Sequence, residues 1–222
     1  MKMEKRLLIF DLDGTIADTL PSIAEAVNMC ARYFGYSEKS NDEVRRAVGS
    51  GVGVLLQLTM PQDAIADAEQ CQKIKEYFAK CYEITQAKVD TAYSEMAEAM
   101  RELYSKGYIL AVLSNKPDKL VKMIVKNLFP DGIISVAMGQ TDLPRKPDPT
   151  VPLMIAESFG VSADSTYFIG DSEVDVLTGR NAGMRTVAVS WGFRDRSVLE
   201  SAAPDVIIDT REELADYFKK LA

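Results

Sequence analysis

Two aspartates one residue apart close the stretch Leu7-Leu8-Ile9-Phe10-Asp11-Leu12-Asp13-Gly14-Thr15. Alternate residues of a strand share a face, so Asp11 and Asp13 start on one side of the chain before Gly14 turns it. Neighbouring carboxylates repel unless a cation lies between them or one keeps its proton. Both remedies suit phosphate chemistry. Mg²⁺ takes oxygen ligands and accompanies phosphates, and one carboxylate can attack while the other moves a proton. Taken alone, the stretch also reads as an Asp-Gly turn closing a hairpin.

Three further groups could serve the same chemistry. Ser114-Asn115-Lys116-Pro117 follows an apolar run; a hydroxyl at a strand end, before a helix, can donate to a phosphate oxygen or simply cap the helix. In Arg145-Lys146-Pro147-Asp148-Pro149 two prolines stiffen the loop that presents Lys146, as a screen for phosphate charge or as a solvated surface group. Phe168-Ile169-Gly170-Asp171-Ser172-Glu173-Val174-Asp175 opens a helix after a strand. Asp171 and Asp175, four apart, share its first-turn face, as oxygen ligands for Mg²⁺ or as carboxylates that favour a helix N-terminus.

The elements that must position these groups follow from periodicity. The apolar run over 7–10 predicts a buried strand. Helical patterns cover 21–34, 42–48, 54–58 and 63–86, the last predicted as one long helix carrying Ile65, Ala68, Cys71, Ile74, Phe78 and Cys81. Residues 20–88 therefore read as all helix. Beyond them strands at 109–113, 133–136, 166–169, 186–189 and 206–208 alternate with helices at 96–104, 120–128, 151–159, 174–182 and 211–221. That alternation predicts a parallel sheet with helices on both faces, and such sheets bind ligands at the carboxyl ends of their strands. The expected fold is α/β: a doubly wound parallel sheet with a Rossmann-like core (1–18 and 89–222) and a helical cap (19–88) inserted after the first strand.

Composition bounds the function. With 26 Lys and Arg against 33 Asp and Glu, the net charge is −7, and no dense basic run exists, which argues against nucleic-acid or anionic-membrane partners. His is absent, so catalysis must use carboxylates, Lys, hydroxyls or thiols. Cys30, Cys71 and Cys81 fall on apolar helical positions, which predicts buried packing residues in a reducing compartment. The apolar run before Asp11 is too short for a signal peptide, and none approaches the roughly 20 residues of a membrane span. The expected location is the cytoplasm.

In order and spacing, the motifs resemble those of the haloacid dehalogenase-type hydrolase superfamily along essentially the whole chain. They are most similar to its phosphoglycolate-phosphatase-like branch: Phe10-Asp11-Leu12-Asp13-Gly14-Thr15, Asp18, Gly107-Tyr108, Ser114-Asn115-Lys116-Pro117, Lys146-Pro147-Asp148-Pro149, Gly170-Asp171-Ser172 with Asp175, and Ala182-Gly183. The resemblance implies a Mg²⁺-dependent phosphatase acting on a small phosphomonoester. Asp11 would form an aspartyl-phosphate, and Asp13 would serve as acid and then base. Thr15, Ser114, Asn115 and Lys146 would hold the phosphoryl group. Asp11, the main chain of Asp13, and Asp171 would bind Mg²⁺, backed by Asp175. It further implies a mobile cap whose loop 48–53, with Gly49 and Gly51, chooses substrates; Arg45 or Arg46 would meet a second anionic group, or else lie on a solvated helix face. The superfamily's dehalogenases lack an acid at the position of Asp13, which argues against a carbon-halogen substrate. Pyrophosphatase, nucleotide phosphatase and hexose-phosphate mutase are the alternatives within the fold, the last disfavoured by Gly14-Thr15 where mutases have Gly-Val. A phospho-acceptor signalling module is the alternative of another class, disfavoured by the cap and by Asp13. A monomer or homodimer is expected. The branch's usual Pro-Gly turn before the helix at 96 is replaced by Ala92-Tyr93-Ser94-Glu95.

Overall fold

The computed structural model describes residues 6–89, 91–130 and 132–221. Strand β1 (Leu7–Phe10) is buried at every position, because four successive apolar side chains need cover on both faces. It lies inside a six-stranded parallel sheet with β2 (Ile109–Pro117), β3 (Ile134–Gln140), β4 (Thr166–Gly170), β5 (Arg185–Val189) and β6 (Val206–Ile208), in the order β3-β2-β1-β4-β5-β6. The expected doubly wound sheet is therefore present. The chain builds outward from β1 through β2 and β3, then returns to place β4 on the other side of β1. That reversal opens a crevice at the carboxyl ends of β1 and β4, where Asp11 and Asp171 emerge.

The two faces of the sheet follow the two-residue period of its strands. Leu8, Phe10, Leu110, Val112, Tyr167 and Ile169 pack on α6 (Met96–Ser105), α7 (Asp118–Leu128) and α11 (Arg211–Lys219). Leu7, Ile9, Ala111, Leu113 and Phe168 face α8 (Thr150–Phe159). Helix α9 (Glu173–Asn181) follows β4, and α10 (Arg196–Ala202) packs Leu199 against Val176 and Ala188. Sequence reading does not anticipate α10, whose short run carries one buried apolar anchor.

Helices α1 (Leu20–Phe34), α2 (Asn41–Ala47), α3 (Val52–Thr59), α4 (Gln62–Ala66) and α5 (Ala68–Gln86) surround a hydrophobic cluster of their own. Ile23, Val27 and Cys30 of α1 belong to it with Ile74, Phe78 and Cys81 of α5, and Leu120 of α7 joins this cluster to the core. The single helix expected over 63–86 is in fact two. Asp67 stays extended and its side chain accepts from Gln70 N at 2.7 Å, so the cap defeats a periodicity that ran unbroken through it. Ala68 is exposed and Cys71 only half-buried in consequence, whereas Cys30 and Cys81 are buried as expected. Glu95, just before α6, takes a left-handed φ of 63°, a conformation glycine adopts at less cost.

Strand β2 also runs further than expected. After Leu113 it stays extended through Ser114-Asn115-Lys116, and Pro117 pairs with Gln140 across a register shift. Ser114 therefore does not sit at a helix start; α7 begins only at Asp118. The same extension carries Lys116 into the crevice.

Candidate active site

Asp11 is the first residue past β1, and its main-chain N–H donates to Ile169 O at 2.8 Å, tying it to β4. Its Oδ1 lies 2.8 Å from Lys146 Nζ, which also donates to Asp175 Oδ1 at 2.7 Å. Both Lys146 and Asp175 are buried. Asn115 aims the lysine loop: its Oδ1 accepts from Lys146 N at 2.9 Å and its Nδ2 donates to Lys146 O at 3.1 Å. The same Nδ2 donates to Gly49 O of the cap at 3.0 Å. Asn115 thus spends its amide on two loops.

Asp175 is fixed from its own helix, its Oδ2 accepting from Ser172 N at 3.1 Å and Ser172 Oγ at 2.6 Å in a capping box. Asp171 is gripped from two sides. Thr15 Oγ1 donates to its Oδ1 at 3.0 Å, and Phe193 N donates to its Oδ2 at 2.6 Å. Two glycines make room for it: a Cβ on Gly14 would stand 2.5 Å from Asp171 Oδ2, and one on Gly192 would stand 2.2 Å from Asp171 Cβ. Gly14 also has a φ of 84°, which side chains rarely adopt.

Asp13 has a separate set of neighbours. Its Oδ1 accepts from Thr19 Oγ1 at 2.6 Å and from Lys116 Nζ at 2.7 Å. The Lys116 side chain is fully buried, and its ammonium lies 4.9 Å from the ring centre of Tyr82 on α5. Lys116 lies in the motif Ser114-Asn115-Lys116-Pro117 but is not among the site residues expected from sequence. The available signal was a lysine at a strand end facing a carboxylate pair.

The carboxylates are under electrostatic strain. Burial pushes the Asp171 carboxyl up to about 8, and repulsion from Asp175 and Asp11 adds to it. Burial likewise raises Asp11 to about 6, against the pull of Lys146. For Lys146 burial opposes the charge, but Asp11 and Asp175 more than offset it and hold the ammonium protonated. One lysine among three carboxylates leaves negative charge uncompensated. Oxygens of Asp11, Asp171 and Asp175, all buried, lie within 4.8 Å of one another, and Asp11 Oδ1 has no well-formed hydrogen bond despite its ion pair. Hard oxygen donors with surplus charge fit a divalent cation such as Mg²⁺.

This strain predicts a pH-dependent response to metal. Without metal, folded Asp171 keeps a proton that the unfolded chain loses above its ordinary value of 3.8, up to about 8. The folded state binds more protons across that window, so stability falls as pH rises through it. Below the window both states are protonated and the penalty vanishes. With a chelator, Tm is expected to be lower at pH 8.5 than at pH 6, and the gain on adding Mg²⁺ to be larger at pH 8.5. Asp171→Asn should flatten both trends. Equal Mg²⁺ gains at the two pH values would contradict this account.

The carboxylates open into a cavity of about 40 Å³ lined by Asp11, Asp13, Ser114, Lys116, Asp171 and, from the cap, Gly49, Gly51 and Tyr82, among others. That is room for a few waters. The cap is seated by reciprocal contacts. Arg194 Nη2 donates to Val48 O at 2.7 Å and its Nη1 to Arg45 O at 3.2 Å, while Nε pairs with Glu173 at 2.9 Å. Arg45 in turn donates to Phe193 O at 2.9 Å and to Asp195 at 3.2 Å. Arg45 is therefore placed on the rim of the core and does not line the cavity. Arg46 is exposed. Arg194 carried no sequence signal, because its partners are main-chain carbonyls of a distant loop. Among the described residues no helix is long and apolar enough to cross a membrane.

A family model described as haloacid dehalogenase-like hydrolase matches residues 8–189. The chain is 31% identical over 209 residues to a phosphoglycolate phosphatase of Vibrio cholerae, covering 92% of each sequence. It is 30% identical to a phosphoglycolate phosphatase of Psychrobacter arcticus, over 98% of this chain and 97% of the relative. The crystal structure of a Haemophilus somnus protein, named a predicted phosphoglycolate phosphatase, superposes with a TM-score of 0.89 at 28% identity and covers 100% of both chains.

Proposed function

The chain belongs to the haloacid dehalogenase-like hydrolase family and is a phosphatase of it; from that premise we propose that it hydrolyses small phosphomonoesters, phosphoglycolate first among them, with Mg²⁺ and through a phosphate carried on Asp11. The observation that carries this reading is the segregation of the carboxylates. Asp11 meets Lys146, Asp171 and Asp175 on one side of the cavity, while Asp13 faces Thr19 and Lys116.

That segregation suits two roles. An oxygen of Asp11 bonds to phosphorus as the ester P–O bond breaks, and the proton of Asp13 passes to the departing alkoxide oxygen. Water then attacks the phosphorus, its proton returns to Asp13, the bond to Asp11 breaks and inorganic phosphate leaves. Asp11, with its carboxyl raised only to about 6, is ionised and nucleophilic near neutral pH. Lys146 and the Ser114 hydroxyl hold phosphoryl oxygens, since phosphoryl transfer depends on positioning and charge stabilisation. Thr15 gives its hydroxyl to Asp171 and so acts through it. Asp11, Asp171 and the main-chain carbonyl of Asp13 would hold Mg²⁺, with Asp175 behind them. When bound, the cation supplies charge neutralisation for the phosphoryl oxygens.

The cap loop with Gly49 and Gly51 roofs the cavity, so substrate enters by release of the contacts from Asn115, Arg194 and Arg45, and closure excludes water from the chemistry. Arg45 acts as part of that seat. Phosphate release from phosphoglycolate, sugar phosphates, nucleotides and pyrophosphate, with Mg²⁺ and with a chelator, tests the reading. Chelator-sensitive release led by phosphoglycolate is expected. A different leader changes the substrate, and release from none moves the assignment to a mutase or a phospho-acceptor module.

A further inference from the structure

Lys116 lines the cavity and has no part in the phosphoryl chemistry above. Lys146 is committed to Asp11 and Asp175, and Arg194 to Glu173 and two cap carbonyls. Lys116 donates to Asp13 Oδ1 at 2.7 Å and hydrogen-bonds the Tyr82 hydroxyl, which leaves one of the ammonium's three donors for a ligand. Its charged end is fully buried against Tyr82. A buried ammonium is costly to keep when a well-packed apolar side chain could fill the space, and that cost points to a use.

The chemistry at Asp13 says what the use is. To receive the proton, the leaving oxygen must come within about 2.6–3.2 Å of the Asp13 carboxylate. Lys116 Nζ lies 2.7 Å from that same carboxylate. A group attached one carbon beyond the leaving oxygen is therefore within reach of Lys116. In phosphoglycolate that group is a carboxylate.

We propose that Lys116 is a specificity-determining residue that binds the anionic group of the leaving alcohol, so that the enzyme selects phosphate esters of short 2-hydroxy acids. The inference rests on the phosphatase reading of the same cavity. Tyr82 makes the recognition depend on the cap: its ring, brought by α5, walls the ammonium off from water, and a charge pair is worth more in a dry site. A neutral alcohol leaves Lys116 without the substrate's charge, whereas a longer acid carries its carboxylate past it.

The test compares 2-phosphoglycolate with ethyl phosphate, which has the same ester oxygen and no carboxylate. Wild-type enzyme is expected to prefer phosphoglycolate in kcat/KM by about 100-fold or more. In Lys116→Met both substrates lose rate, because Asp13 loses a partner, but the preference is expected to fall about 30-fold or more, the scale for removing one partner of a buried charge pair. Most of that fall should appear in KM for phosphoglycolate. Lys116→Gln keeps a donor for Asp13 and carries the test if the methionine variant does not fold; it too should lose the preference. Equal losses on both substrates would make Lys116 a support for Asp13 only and overturn the proposal. A wild-type enzyme that releases phosphate equally from both would overturn it as well, with the phosphatase reading intact. No release from either would instead count against that reading.

Discussion

Replacing Asp11 by Asn is expected to abolish phosphate release, by at least about 10⁴-fold, the scale for removing a nucleophile that acts as part of a unit. The amide keeps the shape of the side chain and its main-chain tie to Ile169 O, but cannot attack phosphorus. Stability should move the other way. Asp11 is a carboxylate that burial raises to about 6 and that Asp175 and Asp13 repel. Neutralising it leaves Lys146 paired with Asp175 at 2.7 Å and relieves the crowding on Asp171. The metal-free Tm of Asp11→Asn should equal or exceed that of wild type, and its gain with Mg²⁺ should shrink. Phosphate release and thermal melts, with and without chelator, read both effects. Residual turnover near the wild-type rate would place the nucleophile elsewhere.

Lys146→Met is expected to fail on both counts. The lysine is the counter-charge shared by Asp11 and Asp175, and all three are buried. Removing one partner of a buried pair typically costs about 3–5 kcal/mol, because the remaining charge stays uncompensated. The phosphoryl group loses a positive contact as well, worth on the order of 10²–10³-fold in kcat. Urea denaturation should show the deficit at pH 8 and a smaller one at pH 5, where Asp11, raised to about 6, takes up a proton. Here the sign follows from Asp11, whose folded value sits above the ordinary 3.8. An undiminished deficit at pH 5 would mean that Lys146 supports the fold by packing on Phe168, whose ring lies 5.6 Å from the ammonium, and not by charge.

These variants separate two demands on one cluster. The carboxylates are strained where they are, and the groups that hold them there relieve the strain only in part. Ser172 fastens Asp175, Phe193 and Thr15 fasten Asp171, and Gly14 and Gly192 clear the space. Phe193 has a further connection: its N–H holds Asp171, and its carbonyl accepts from Arg45 of the cap. The rim that seats the cap is thus built from the same residue that positions a proposed metal ligand.

Much of this was determined by the sequence alone. The run Leu7–Phe10 predicts a strand buried on both faces, as found, and the later alternation of short apolar runs with amphipathic helices predicts the parallel sheet. A binding crevice at the carboxyl ends of the strands follows from that, and with it the approach of Asp11 and Asp171, each the first residue past its strand; the strand order itself is set by the tertiary structure. The 3.6-residue periodicity of the insert was equally legible. What it could not show was the break at Asp67, where a side-chain cap outweighs an unbroken apolar pattern.

Tertiary structure decided the rest, and the common reason is that the partners are distant or are main-chain atoms. Arg45 looked like a substrate ligand by its charge, yet its guanidinium meets the carbonyl of Phe193, 148 residues away. Arg194 is fixed by Glu173 and by two main-chain carbonyls that any sequence would offer. Asn115 is spent on Gly49 and Lys146 for the same reason. Lys116 stood in a quoted motif, but only the extension of β2 past Leu113 brings its ammonium to Asp13, and only the folding of α5 over it places Tyr82 on its other side. Periodicity and motif record what each segment prefers locally; which charge meets which is set by packing between segments far apart in the chain.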